Sequence, residues 1–125
     1  AVASEIGHVG SGRAIVKTAD ITDLDSCRSL VSAALDKAGR IDVLVNNARR
    51  LTRDPGLAAD ENSLPFQEVA PQFFRESVMV NVIGTFCMSR AAVEQFLRQG
   101  KGKIVNITTS RWHAFRERLG IDRWN

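Results

Sequence analysis

Ile41-Asp-Val-Leu-Val-Asn-Asn-Ala48 is the stretch that decides how this chain folds. Ile41, Val43, Leu44 and Val45 form a short apolar run, with Gly39 before it and Asn46 and Asn47 after it. The pattern predicts a buried parallel strand, hydrophobic on both faces and ending in polar residues where the chain leaves the sheet. Ligands of an open α/β sheet bind in the crevice outside the carboxyl ends of the strands, and Asn46, Asn47 and Ala48 would stand at such an end.

Upstream, Leu24, Cys27, Leu30, Val31, Ala34, Leu35 and Ala38 recur at steps of three and four, the apolar face of a helix. Thr22 and Asp23 are available as caps, Asp25 suits the positive end of the helix, and Gly39 suits its close. Ala14–Lys17 reads as a short strand with Asp20 just past its end. Ala1–Ile6 reads as the last turn of a helix. Gly7–Gly12 is a glycine-rich turn without the preceding strand that a phosphate loop needs.

Downstream, a polar loop runs from Arg49 to about Pro65, where an active-site wall would lie. Pro71 suits the first turn of a long helix to about Arg98. Val78, Val82, Ala92 and Phe96 make one apolar stripe on it; Met79, Ile83, Phe86, Val93 and Leu97 make a second. A helix with two stripes touches the sheet on one side and another apolar surface on the other. Ile104-Val-Asn-Ile-Thr-Thr109 reads as a second buried strand. The organisation is βαβ, repeated.

Composition narrows the function classes. The 125 residues suffice for one domain with a core, and a net charge of +3 is a solvated surface rather than a polyanion footprint. Asn81, Gly84 and Arg90 interrupt the longest apolar stretches, so no membrane span is expected, and the first residues do not resemble a signal peptide. Cys27 and Cys87 both fall in helical segments and read as two free thiols in a reducing, cytoplasmic setting rather than a disulfide or metal pair.

Asp20 after a strand, Asn46-Asn47-Ala48, Val80-Asn81 inside the following helix and Ile104-Val-Asn-Ile-Thr-Thr-Ser110 stand in the order of a known family. Over residues 1–110 the chain resembles the middle of a short-chain dehydrogenase/reductase. The resemblance implies an α/β fold, an incomplete Rossmann-like doubly wound parallel sheet made of the third to fifth strands with their helices. It also implies an NAD(P)-dependent oxidoreductase, with NAD or NADP as cofactor and a small-molecule alcohol or carbonyl as substrate. Cofactor contacts then fall to Asp20, Ile21, Asn47, Ala48 and Ile107, and catalytic roles to Asn81 and to either Thr109 or Ser110. Each has a plainer reading beside this one. Taken alone, Asp20 reads as a turn or capping aspartate and Asn81 as a helix-interior amide bonded to a neighbouring carbonyl; the order of motifs favours the family roles for both, and Asn46 is read as tying adjacent strands together. The family's long helix commonly packs on its twin, which implies a homo-oligomer through helix 71–98 or, as a rival reading, a non-catalytic interaction subunit.

Two departures stand out. Arg49 replaces the glycine usual beside the nicotinamide ribose, so it either crowds the cofactor or adds a phosphate or substrate contact. The catalytic tyrosine belongs about a dozen residues after Thr109, but Gly120, Ile121, Asp122 and Arg123 occupy that window and the sequence contains no tyrosine. Without the family's first two strands, Ala14–Lys17 would lie roughly 14 Å from the Ile41 strand, about three strand spacings, beyond any hydrogen bond. Residues 111–125 form an atypical basic and aromatic tail, Arg111, Trp112, Phe115, Arg116, Arg118, Arg123 and Trp124 among them. A non-native end is preferred there to single-stranded nucleic-acid binding.

Overall fold

The computed structural model describes residues 13–50 and 66–108. Helix α1 (Leu24–Ala38) begins at Asp23, whose extended backbone lets its carboxylate accept from the amides of Asp25 at 3.1 Å and Ser26 at 3.3 Å. That satisfies amides the helix cannot pair internally. It ends at Gly39, where φ of 75° turns the amide back onto the Leu35 carbonyl at 2.7 Å. A residue with a β-carbon is disfavoured in that left-handed conformation.

Strand β1 (Val43–Asn46) follows, and β2 (Lys103–Asn106) pairs with it in parallel, Val43 opposite Lys103 and Asn46 opposite Asn106. Lys103 donates to the Asp42 carbonyl at 3.0 Å and Ile107 to that of Asn46 at 2.9 Å, extending the ladder at both ends. A short 3-10 turn (Phe66–Glu68) leads into the crossover helix. This is one rod in three parts: α2 (Pro71–Val78), a π-helical turn (Met79–Gly84) and α3 (Thr85–Gln99), closed by Gly100 at φ 77°. A π turn sets one widened loop of backbone into an α-helix, and such turns often mark functional sites.

Helices α1 and α3 pack together. Cys27, Val31, Cys87, Met88 and Ala91 form the buried cluster, with Ile21, Leu24, Leu30, Leu35, Ile41 and Leu44 against it. Leu44 and Asn46 of β1 are half-buried, while Val43 and Val45 are exposed. Arg28 bridges the helices outside the cluster, donating to Glu94 at 2.8 Å and holding that carboxyl below its usual range. Exposed ion pairs add little, so the apolar contact carries the packing. Both cysteines are free and buried. The Cys27 thiol donates to the Ile21 carbonyl at 3.3 Å, and burial pushes its pKa up, with Cys87 nearby adding to the rise.

Three expectations are corrected. Residues 14–17 are not a strand; Ile15 and Val16 are exposed, and no neighbour among the described residues offers them a ladder. The strands are not buried on both faces: in β1 only Leu44 and Asn46 are half-buried while Val43 and Val45 lie open, and β2 is exposed along its whole length, Ile104 and Val105 included. The apolar stripes of the long helix do not both find cover either. Ala92 and Phe96 are buried, but Val78, Val82 and the whole second stripe are exposed. The split of the first stripe falls at the π turn, where the 3.6-residue period on which the stripe is drawn is interrupted. Residues 1–12, the loop 51–65 and the tail from 109 onward lie outside the described residues.

A β-carbon on Gly102 would meet the buried Phe96 ring at 2.1 Å. Gly102→Ala is therefore expected to lower stability by about 1–3 kcal/mol, the cost of overpacking a filled core. Urea denaturation of wild type and variant measures it; an unchanged midpoint would show that the Phe96 ring yields freely.

Candidate functional site

Ser77, Asn81, Thr85 and Ser89 lie four residues apart along the crossover helix, a polar ladder between apolar neighbours. The ladder faces the carboxyl end of β1. The Asn81 Oδ1 accepts the Arg50 amide at 2.8 Å, and its Nδ2 donates to the Arg50 carbonyl at 2.9 Å and to Ser77 Oγ at 2.9 Å. Ser77 is buried, and its hydroxyl donates to the same carbonyl at 3.1 Å. A carboxamide carries the donor and acceptor of a peptide unit, so Asn81 pairs with the Arg50 main chain as a neighbouring strand would. Thr85 Oγ1 donates to the Asn81 carbonyl at 2.9 Å, within the π turn.

Asn46 completes the connection. Its Nδ2 donates to Asn106 Oδ1 at 2.8 Å, across the strand pair, and to Ser89 Oγ at 3.0 Å. The expected strand-tying role of Asn46 is thus what its amide performs. Beyond it, Asn47, Ala48 and Arg49 are exposed, and Arg50 pairs its guanidinium with Glu76 of α2 at 3.0 Å through Nε.

Two cavities meet at this strand end. The larger, about 750 Å³, is lined by Asn46, Asn47, Ala48, Arg49, Asn81, Thr85, Asn106, Ile107 and Thr108. The smaller, about 280 Å³, is mostly apolar; Ile21, Leu30, Val31, Ala34, Ile41 and Leu44 are among its walls. Asn46, Asn47, Ala48 and Thr85 belong to both. The structure therefore brings Asn47, Ala48, Asn81 and Ile107 around the larger cavity and Ile21 to the adjoining one. Asp20 lines neither cavity. Its Oδ1 accepts the Thr22 amide at 2.9 Å and the Thr22 hydroxyl at 2.8 Å, and its own amide donates to Ser26 Oγ at 2.9 Å. Those bonds from Thr22 hold its pKa below the usual value, so their contribution is present at neutral pH and is lost as pH falls through the folded-state pKa. Thr109 and Ser110 lie outside the described residues.

Ser77, Thr85, Ser89 and Arg50 were not singled out from the sequence. The signal was present: hydroxyl and amide residues at every fourth position of an otherwise apolar helix mark a second, polar face. Counting only apolar positions hid it.

Comparisons with known proteins show the family. The short chain dehydrogenase family matches residues 1–113. A 3-oxoacyl-(acyl-carrier-protein) reductase of Synechocystis sp. is 35% identical over 109 residues, 87% of this chain and 40% of that protein. A 2-dehydro-3-deoxy-D-gluconate 5-dehydrogenase of Escherichia coli is 37% identical over 93 residues, 74% of this chain and 33% of that protein. A solved NAD+-bound xylitol dehydrogenase superimposes with a TM-score of 0.65 at 25% identity, over 76% of this chain and 33% of its own. The chain thus spans well under half the length of the relatives it matches.

Asn81→Ala removes the bonds that hold the Arg50 peptide. Each is worth about 0.5–1.5 kcal/mol net. The Arg50 amide is expected to exchange with solvent roughly tenfold faster or more, while amides in the middle of α1 keep their rates. Hydrogen exchange read by NMR checks it, and an unchanged Arg50 rate would mean the loop is held by other contacts.

Proposed function

Because this chain belongs to the short-chain dehydrogenase/reductase family, we propose that its double hollow is the nicotinamide-cofactor and substrate cleft of an oxidoreductase acting on an alcohol/carbonyl pair. One observation carries the reading: Asn47, Ala48, Asn81 and Ile107 line one cleft at the carboxyl end of a parallel strand, where open α/β sheets bind ligands.

The lining suits NAD or NADP. The apolar cavity beside Ile21 accommodates a flat base, and the amides and hydroxyls of the larger cleft suit a ribose and a carboxamide. When bound, the nicotinamide ring gives or takes the hydride. Asn47 and Ala48 would pass their backbone along the sugar and Ile107 would close the wall; the Ile21 amide would serve the adenine edge, with Asp20 beside the cavity contributing only through Oδ2, since Thr22 takes Oδ1. The Thr109 or Ser110 hydroxyl polarises the substrate oxygen. Asn81 already commits its amide hydrogens to Arg50 and Ser77. Its Oδ1, with one lone pair beyond the Arg50 contact, is the atom left to hold a water of a proton relay.

The general acid is the missing piece. The sequence contains no tyrosine, and these 125 residues by themselves are expected to show no turnover. Purified chain incubated with NAD, NADP and secondary alcohols should give no protein-dependent rise in reduced-nicotinamide absorbance; steady turnover that copurifies with the chain would overturn this. Cofactor titration is the separate test of the cleft, because binding does not need the tyrosine.

A second reading concerns the outer face of the long helix. Phe74, Val82, Phe86 and Leu97 are each more than half exposed, and contiguous apolar exposure marks an interaction surface. We infer that helix 71–98 associates with its twin in a homo-oligomer, a role that a non-catalytic subunit would share. Sedimentation velocity is expected to show an oligomer that Val82→Glu together with Phe86→Glu reduces toward monomer. A monomeric wild-type chain would remove this reading.

A further inference from the structure

Among the described residues lining the larger cleft, Arg49 alone is charged; its companions there are carboxamides, hydroxyls, Ala48 and Ile107. The neighbouring cation is already matched, since Arg50 pairs with the Glu76 carboxylate. Among the described residues no carboxylate lies within ion-pair distance of Arg49. Its place in the chain is also held. On one side Asn46 is bonded to β2 and α3, and on the other the Arg50 main chain is clamped by Asn81. Arg49 thus sits on a short segment anchored at both ends and lines a cleft whose other described residues are neutral.

The geometry points to Arg49 as the residue that makes this cleft select a ligand bearing an oxyanion, a carboxylate or a phosphate. The inference rests on the cleft being a ligand site, and deepens that reading by naming the ligand's charge. The planar fork of an arginine offers parallel donors that match either group, which a neutral amide does not. Arg49 is exposed, so the contact is partly solvated and weakens with added salt. Two sources carry this chemistry: a phosphate of the dinucleotide and a carboxylate on the substrate.

Matched probes separate them. Nicotinamide mononucleotide and nicotinamide riboside differ by the phosphate; lactate and propane-1,2-diol differ by the carboxylate. Titrations are followed by NMR at the Asn47 and Ala48 amides, in wild type, Arg49→Gln and Arg49→Lys. In wild type the anionic member of at least one pair should bind about tenfold tighter, the scale of one charge-assisted contact. Arg49→Gln should abolish that preference with the spectrum otherwise intact, and Arg49→Lys should keep part of it. The pair that shows the preference identifies the source. Equal affinity within both pairs in wild type, or a preference that survives Arg49→Gln, overturns the role of Arg49 while leaving the cleft. No response of Asn47 and Ala48 to any probe overturns the cleft reading and this inference with it.

Discussion

The pairing of the Asn81 carboxamide with the main chain of Arg50 is the contact on which the site depends. β1 ends at Asn46, and among the described residues those after it have no strand partner of their own. Their backbone donors and acceptors need matching if the segment is to hold one conformation. Asn81 supplies both halves of that match from a helix, and Ser77 supports it from one turn below. Arg49 and the cleft wall are placed by this clamp.

Two kinds of interaction divide the work along one helix. Toward α1, the crossover rod presents Cys87, Met88 and Ala91, whose packing against Cys27 and Val31 excludes water without specifying direction. Toward the strand end it presents the hydroxyl and amide ladder, whose bonds are individually modest but directional. Apolar burial therefore fixes that the helices meet, and the ladder fixes where the segment after β1 runs. The π turn lies where the two faces pass each other, and the Thr85 hydroxyl caps the Asn81 carbonyl within it. Gly84 belongs to the same turn: a β-carbon there would come within 2.8 Å of Ile21, so the missing side chain lets the helix approach the segment after Asp20.

Membership of the short-chain dehydrogenase/reductase family explains the order of these parts. Arg49 brings the one charge among the described residues of the cleft. On the sheet's far face and on the long helix, valines and phenylalanines such as Val43, Val45, Val105, Val82 and Phe86 remain exposed among the described residues.

Helix α1, its cap at Asp23 and its close at Gly39 were legible in the sequence, because capping and periodicity are local and involve residues within one turn of each other. The parallel strand ending at Asn46, the Pro71 helix start and the two free thiols were legible for the same reason, and motif order revealed the family. What local pattern does not contain is partnership. Ala14–Lys17 has a strand's composition and no strand, since a ladder needs a neighbour that composition does not supply. The exposed far face of β1, the break of the apolar stripes at the π turn, and the choice of Arg50 as Asn81's partner, 31 residues away in sequence, were decided only by the tertiary structure. Each depends on which backbone groups are left unmatched once distant segments meet, and that is a property of the assembled chain.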